Sequence, residues 1–204
     1  NYISKLINIY DHPDDYRKFH TGSIPLIGGI IILLNLILIF IIEIFFLKNF
    51  IIDMIYLNDI SNYINFFLLP LVFFLIGLYD DKYSLDFKKK FILLICGILF
   101  AIIIDKDLII HFINTSFFDF SIRIYFVQII FTLLCFLLFI NAFNMFDGIN
   151  MQAGAYALIF FIYFYFLNIL PIFSIIISIS LILFLILNYQ NKAFLGDSGS
   201  LMMA

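Results

Sequence analysis

Asp80 and Asp81 stand side by side where a long apolar run ends, and lysines follow at 82, 88, 89 and 90. Carboxylates near a bilayer are costly unless they are paired, hydrated or bound to a cation. Their hard oxygens suit Mg²⁺, which bridges a few carboxylates and substrate phosphates. One of the two could instead serve as a base. A polar helix end with lysines anchored among headgroups explains the same residues without chemistry, and for the pair alone it is the commoner reading.

A second group follows another apolar run. Asn141, Asn144 and Asp147 recur every third residue, with Gly148 and Asn150 just beyond. That spacing puts the three side chains on one helix face. Asn offers donors and an acceptor, and Asp offers anionic oxygens. The stripe fits uracil or sugar recognition, or metal ligation. The plain alternative is a helix end capped by Gly148, but so dense a polar group at membrane depth favours function. A third group is Gly196-Asp197-Ser198-Gly199-Ser200. Its backbone N–H groups can converge on an anion, at the N-terminus of the next helix, while Asp197 faces a cation. A turn with an Asp or Ser N-cap would read the same way, and without a following Lys the segment is not a P-loop. In the fourth group, Arg17, Lys18 and His20 precede Pro25, Gly28 and Gly29. Basic residues before a broken helix start suit a phosphate-bearing substrate, or else anchoring and close packing. His12 and His111 read as solvent-facing loop residues. Cys96 and Cys135 lie in apolar runs without ligand spacing and read as buried thiols.

These groups must be carried by elements that live in lipid. Of 204 residues, 65% are hydrophobic and 12% charged, and the mean hydropathy is +1.15. A soluble domain needs more polar surface than that. The expected fold class is all-α, a polytopic transmembrane helix bundle with about six spans, at 24–47, 63–79, 91–104, 124–143, 153–167 and 172–187. The third is the short one: its 14 residues reach about 21 Å, so it spans only by tilting little, with local thinning of the bilayer, or with Lys88, Lys89 and Lys90 snorkelling. With six spans, residues 1–23, 80–90, 144–152 and 188–200 share one side. That side holds Lys5, Arg17, Lys18, Lys82, Lys88, Lys89, Lys90 and Lys192, against Lys48, Lys106 and Arg123 in 48–62, 105–123 and 168–171. The positive-inside rule makes the first side cytoplasmic, and all four polar groups fall on it. The net charge of −3 is uninformative beside this asymmetry. The expected unit is a single transmembrane catalytic domain, 1–204, truncated at both ends and without a visible signal peptide.

Taken in order, the four groups resemble the polyprenyl-phosphate N-acetylhexosamine-1-phosphate transferases, and among them the bacterial undecaprenyl-phosphate GlcNAc-1-phosphate transferase branch. Arg17-Lys-Phe-His-Thr-Gly-Ser-Ile-Pro-Leu-Ile-Gly-Gly29, Asp80-Asp81 with its lysines, Asn141-Ala-Phe-Asn-Met-Phe-Asp-Gly148 and Phe194-Leu-Gly-Asp-Ser-Gly-Ser200 carry the likeness, over Asp11 to Ser200. The resemblance implies transfer of GlcNAc-1-phosphate from UDP-GlcNAc to undecaprenyl phosphate, giving undecaprenyl-diphospho-sugar and UMP, with Mg²⁺ or in its place Mn²⁺. It implies an enzyme of the bacterial inner membrane with a cytoplasmic-face site, serving cell-envelope polysaccharide such as O-antigen. Membrane lipid is its medium, no nucleic acid is involved, and a homodimer is compatible with it. Asp197 and Asn144 become metal ligands. Asp80, Asp81 and Asp147 become the catalytic carboxylates, the first two for the lipid phosphate. Asn141, Asn144, Asn150, Lys82, Lys88, Gly196, Arg17 and His20 become substrate-binding residues. Two departures stand out: the family's Asp-Gly-Ile-Asp-Gly-Leu reads Asp147-Gly-Ile-Asn150-Met151-Gln152 here, and its His-rich cytoplasmic loop is not within 1–204. A transporter would instead put carboxylates near the midplane and show an internal repeat. The motif carboxylates sit at helix ends, and the halves are dissimilar. The Asn150 substitution raises a non-catalytic relative as the other alternative.

Overall fold

The computed structural model describes residues 7–13, 22–42, 60–115 and 120–204. Tyr10–Asp11 (β1) pairs antiparallel with Ile24–Pro25 (β2). Helices follow at Gly28–Ile42 (α1), Ile60–Tyr83 (α2) and Phe87–Ile104 (α3). A 3-10 turn at Lys106–Leu108 leads to an antiparallel hairpin of Phe112–Thr115 (β3) and Phe120–Arg123 (β4). Then come Gln128–Phe146 (α4), Gln152–Phe166 (α5), Pro171–Tyr189 (α6) and Gly196–Met203 (α7). The protein is mostly helical.

The long Leu, Ile and Phe runs become helices because a helix satisfies its own backbone in an apolar setting. Breaks fall where the backbone turns left-handed. Ser84 (φ 50°) separates α2 from α3, Met151 (φ 68°) precedes α5, and Leu170 (φ 46°) precedes α6. Pro171 then opens α6, where its missing N–H costs nothing.

Four expectations are corrected. Cys96, read as a buried thiol, is exposed and Cys135 is only half-buried, because each lies on the outer side of an apolar helix. Residues 24–27, read as the start of the first span, are extended: Leu26 bridges to Phe194, and Pro25 disfavours helix at the residue before it. The 91–104 stretch is the core of an 18-residue helix that takes in all three lysines, about 27 Å long, close to the ~30 Å of a hydrocarbon core. The 105–123 connection, read as an ordinary loop, contains the β3–β4 hairpin, whose aromatic and β-branched residues favour pairing.

By length and composition, α4 and α6 are apolar enough to cross a membrane, and α1 and α5 are shorter apolar helices. Large apolar side chains are exposed along them, among them Leu134, Leu138, Ile159, Ile179 and Ile182. An apolar surface of this extent marks contact with lipid or another protein.

The core is centred on α6, where Phe184, Leu181 and Ile177 are buried against α1, α5 and α7. Short α7 is enclosed, with Ser198, Gly199, Ser200 and Leu201 all buried. Two glycines allow this. A Cβ on Gly29 would lie 2.5 Å from the Gly199 nitrogen, and one on Gly77 would strike the Asp197 carbonyl. Gly77→Val should therefore destabilise the fold by about 1–3 kcal/mol, the usual range for overpacking. Thermal unfolding in detergent would read this as a lower Tm, and an unchanged Tm would mean that α2 and α7 do not meet here.

Candidate active site

Five chain segments converge on one end of the bundle: β1, the C-termini of α2, α4 and α6, and the loop leading into α7. Between them lies a polar cavity of about 1180 Å³, lined by Asp80, Asp81, Asn144, Asp147, Asn150, Gly196 and Asp197, among others. Seven sequence candidates thus share one space.

The α6–α7 loop is held in place by backbone bonds. Phe194 N donates to Pro25 O (3.0 Å), and Gly28 N and Gly29 N donate to Phe194 O (2.9 Å) and Leu195 O (3.2 Å). Gly196 has φ +73°, and any Cβ there would approach Asp81 Oδ2 to 2.8 Å. Only glycine meets both demands.

Asp81 lies behind that turn. Its Oδ1 accepts from Asp197 N (2.8 Å) and its Oδ2 from Ser198 N (3.0 Å). The anion at the α7 N-terminus is therefore this protein's own carboxylate, where the sequence suggested a substrate phosphate. Asp80 is also buried. Its Oδ1 accepts from Leu85 N (2.7 Å), closing the α2–α3 turn, and its Oδ2 pairs with Lys90 Nζ at 2.7 Å. The same ammonium reaches Asp197 Oδ2 at 2.9 Å. Lys90 thus ties α2, α3 and α7 together.

Asn144 Oδ1 accepts from the Ser200 hydroxyl. Asp147 caps α4, its N–H donating to Asn144 O. Burial raises its carboxyl to about 8, with the negative charges of Asp197 and Asp81 adding to the effect. Burial likewise raises Asp197 to about 6, reinforced by its contact with Asp80 and opposed by Lys90. Crowded carboxylates resist ionising together unless a cation compensates.

The remaining candidates lie elsewhere. Asn141 donates to Leu137 O at 2.8 Å on its own helix, and it does not line the cavity. Lys82 is exposed over the Tyr83 ring at 5.6 Å, and Lys88 is exposed. Of the lysine triplet, only Lys90 turns inward, because it lies two positions past Lys88 and on a different side of α3. Arg17 and His20 lie outside the described residues.

Other residues that bear on the site were missed. His12, read as a solvent-facing loop residue, is exposed and also lines the cavity. Asn188 is buried, and its amide joins two loops: Oδ1 accepts from Met151 N (2.6 Å) and Nδ2 donates to Ala193 O (2.9 Å). Asn150 donates to Asn191 Oδ1 at 2.7 Å. The polar spacing Asn188, Asn191 at the end of an apolar run was the available signal.

The donor chemistry suits a hard divalent cation, because four carboxylates, Asp80, Asp81, Asp147 and Asp197, line the cavity, and the one inward lysine described pairs with only two of them, Asp80 and Asp197. Among the described residues, no three acidic, His or Cys groups form a ready-made metal cage. Mg²⁺ does not require one, since it commonly takes one or two carboxylates and completes its shell with water and substrate phosphates. Asp197 and Asp147 are the residues that would hold it. Asn144 could do so once its oxygen is released by Ser200.

The glycosyl transferase family 4 model matches residues 63–204. The phospho-N-acetylmuramoyl-pentapeptide-transferase of Staphylococcus carnosus (strain TM300) is 31% identical over 208 residues, covering 93% of this chain and 61% of that protein. The enzyme of the same name from Staphylococcus epidermidis (strain ATCC 35984 / DSM 28319 / BCRC 17069 / CCUG 31568 / BM 3577 / RP62A) is 31% identical over 209 residues, with the same coverage. The chain thus spans 61% of the length of these curated relatives.

Proposed function

The chain belongs to glycosyl transferase family 4, and from that premise we propose that it transfers an N-acetylhexosamine-1-phosphate from a UDP-sugar to undecaprenyl phosphate, releasing UMP. The observation that carries this reading is the convergence of Asp80, Asp81, Asn144, Asp147 and Asp197 on one cavity at the end of an apolar bundle. A lipid acceptor cannot leave the bilayer and a nucleotide sugar cannot enter it, so a site at the membrane face serves both. The six-span topology, with this end in the cytoplasm of a bacterial inner membrane, is part of the same proposal.

In the reaction, a lipid phosphate oxygen bonds to the β-phosphorus of the donor, and the bond from that phosphorus to the bridging oxygen breaks, leaving UMP. Two anions must approach each other. Mg²⁺, when bound, would offset that charge. Lys90 contributes a fixed positive charge beside Asp197, while Asp80 restrains it from its other side. Such preorganised charge is most effective in a site that has already excluded water. The motif wording favours GlcNAc as the sugar. The activity for which the two relatives are named favours phospho-N-acetylmuramoyl-pentapeptide as a second reading. Membranes containing the full-length protein, given undecaprenyl phosphate and labelled UDP-GlcNAc or UDP-MurNAc-pentapeptide, should yield labelled lipid and UMP from one donor. Lipid product from neither would overturn the transferase reading.

Topology supplies a separate prediction. With Cys96 and Cys135 replaced by Ser, single cysteines at Ser84→Cys and Lys192→Cys should label from the same, cytoplasmic, face. Labelling from opposite faces would dismantle the single site.

A further inference from the structure

The end of the bundle away from the cavity carries a surface that the transfer chemistry does not use. Helix α4 runs 19 residues from Gln128 to its cavity end, about 28 Å, or close to the ~30 Å thickness of a hydrocarbon core. Just before it, Tyr125, Phe126 and Val127 are 63%, 101% and 54% exposed. The β3–β4 hairpin lies alongside and adds exposed Phe112 and Ile122. The Arg123 guanidinium sits over both the Phe112 ring (5.4 Å) and the Tyr125 ring (4.9 Å). Two hydrogen bonds fix this patch: Ile124 N donates to His111 O (2.9 Å), closing the strand pair, and Ile110 N donates to the Thr132 side-chain Oγ1 (2.9 Å), tying it to the start of α4.

We propose that the paired strands β3 and β4, with Tyr125–Val127, form an anchor in the phospholipid headgroup layer of the leaflet opposite the cavity. The proposal rests on the membrane-embedded reading above. Rings with a guanidinium between them match that layer, which is apolar on one side and phosphate-rich on the other. The patch is also continuous with the exposed apolar side chains of α4, from Ile129 and Ile130 to Leu134 and Leu138. The Arg123 guanidinium held between two rings favours the phosphate-bearing layer over a second copy of the chain, which would meet an apolar face more simply.

The chain contains no Trp, so a single introduced indole reports its own surroundings, with the unsubstituted protein as blank. Phe126→Trp and Leu138→Trp proteins would be reconstituted in phospholipid brominated either near the carbonyl or near the chain end. The Leu138→Trp indole should be quenched best by the deep bromine. The Phe126→Trp indole should be quenched at least ~2-fold more by the shallow bromine than by the deep one, as an interfacial residue would be. Val127→Trp should repeat that result, and adding Arg123→Glu should weaken the shallow quenching. Leu138→Trp without quenching would overturn the membrane reading and the anchor with it. Quenching at Leu138→Trp, with red-shifted and unquenched emission at both Phe126→Trp and Val127→Trp, would overturn the anchor alone. So would blue-shifted, unquenched emission that rises with the protein-to-lipid ratio, the signature of a second copy.

Discussion

Asp197→Asn is expected to lower turnover by at least ~100-fold, the scale seen when a group that stabilises transition-state charge is removed. Three observations motivate that size. The Asp197 carboxylate lines the cavity, it is bound by Lys90 Nζ at 2.9 Å, and its pKa is raised by burial among other carboxylates. Such a group is held in place against an electrostatic cost, which is expected where a cation or a charged substrate repays it. Asn keeps the shape and loses the charge. Lys90 would then face only Asp80, and a divalent cation would lose a carboxylate more exposed than Asp80.

The fold should survive that change. The backbone N–H of Asp197, not its side chain, meets Asp81 at 2.8 Å, and Asn preserves that bond. Turnover should therefore fall at matched expression with little change in Tm, and the Mg²⁺ concentration for half-maximal rate should rise. Near-normal turnover would remove Asp197 from the site. A collapse in Tm would instead make it structural.

The sequence showed which residues meet better than it showed how they meet. Asp80, Asp81, Asn144, Asp147, Asn150, Gly196 and Asp197 line one cavity because each ends or begins an apolar element, and all such ends on one side of a bundle must neighbour each other. Helical class was equally legible, since runs of Ile, Leu and Phe leave the backbone few other options. Side-chain direction was not. Lys82, Lys88 and Lys90 are alike as letters, and only the register of α3 against α2 and α7 turns Lys90 inward. Asn141 has the spacing of its neighbours, but one turn deeper it bonds its own helix. The β3–β4 hairpin escaped because its eight paired residues carry no turn signature strong enough to stand out beside the apolar runs. The bridging amide of Asn188 could be found only from the fold, since its partners, Met151 and Ala193, contribute backbone atoms.

The two neighbouring aspartates should separate experimentally, although they look equivalent in sequence. Asp81 gives both carboxylate oxygens to backbone amides of α7, and so fixes the loop that presents Asp197. Asp81→Asn keeps one acceptor but turns an NH₂ toward the other amide. A buried donor left without a partner costs about 1–3 kcal/mol, so this variant should lose stability as well as turnover. Asp80 gives one oxygen to Leu85 N and the other to Lys90. In Asp80→Asn, an amide oxygen can still accept from Leu85, while the ion pair with Lys90 is lost. Lys90 retains Asp197, so stability should change less, and the loss should fall on turnover more than on nucleotide-sugar affinity. The decisive comparison is Tm beside turnover for both variants. If Asp81→Asn unfolds at the parental temperature yet is inactive, its carboxylate belongs to the chemistry, and the helix-holding role assigned to it is wrong. If Asp80→Asn strongly weakens donor binding while turnover at saturating donor stays normal, the pair serves the nucleotide, not the lipid phosphate.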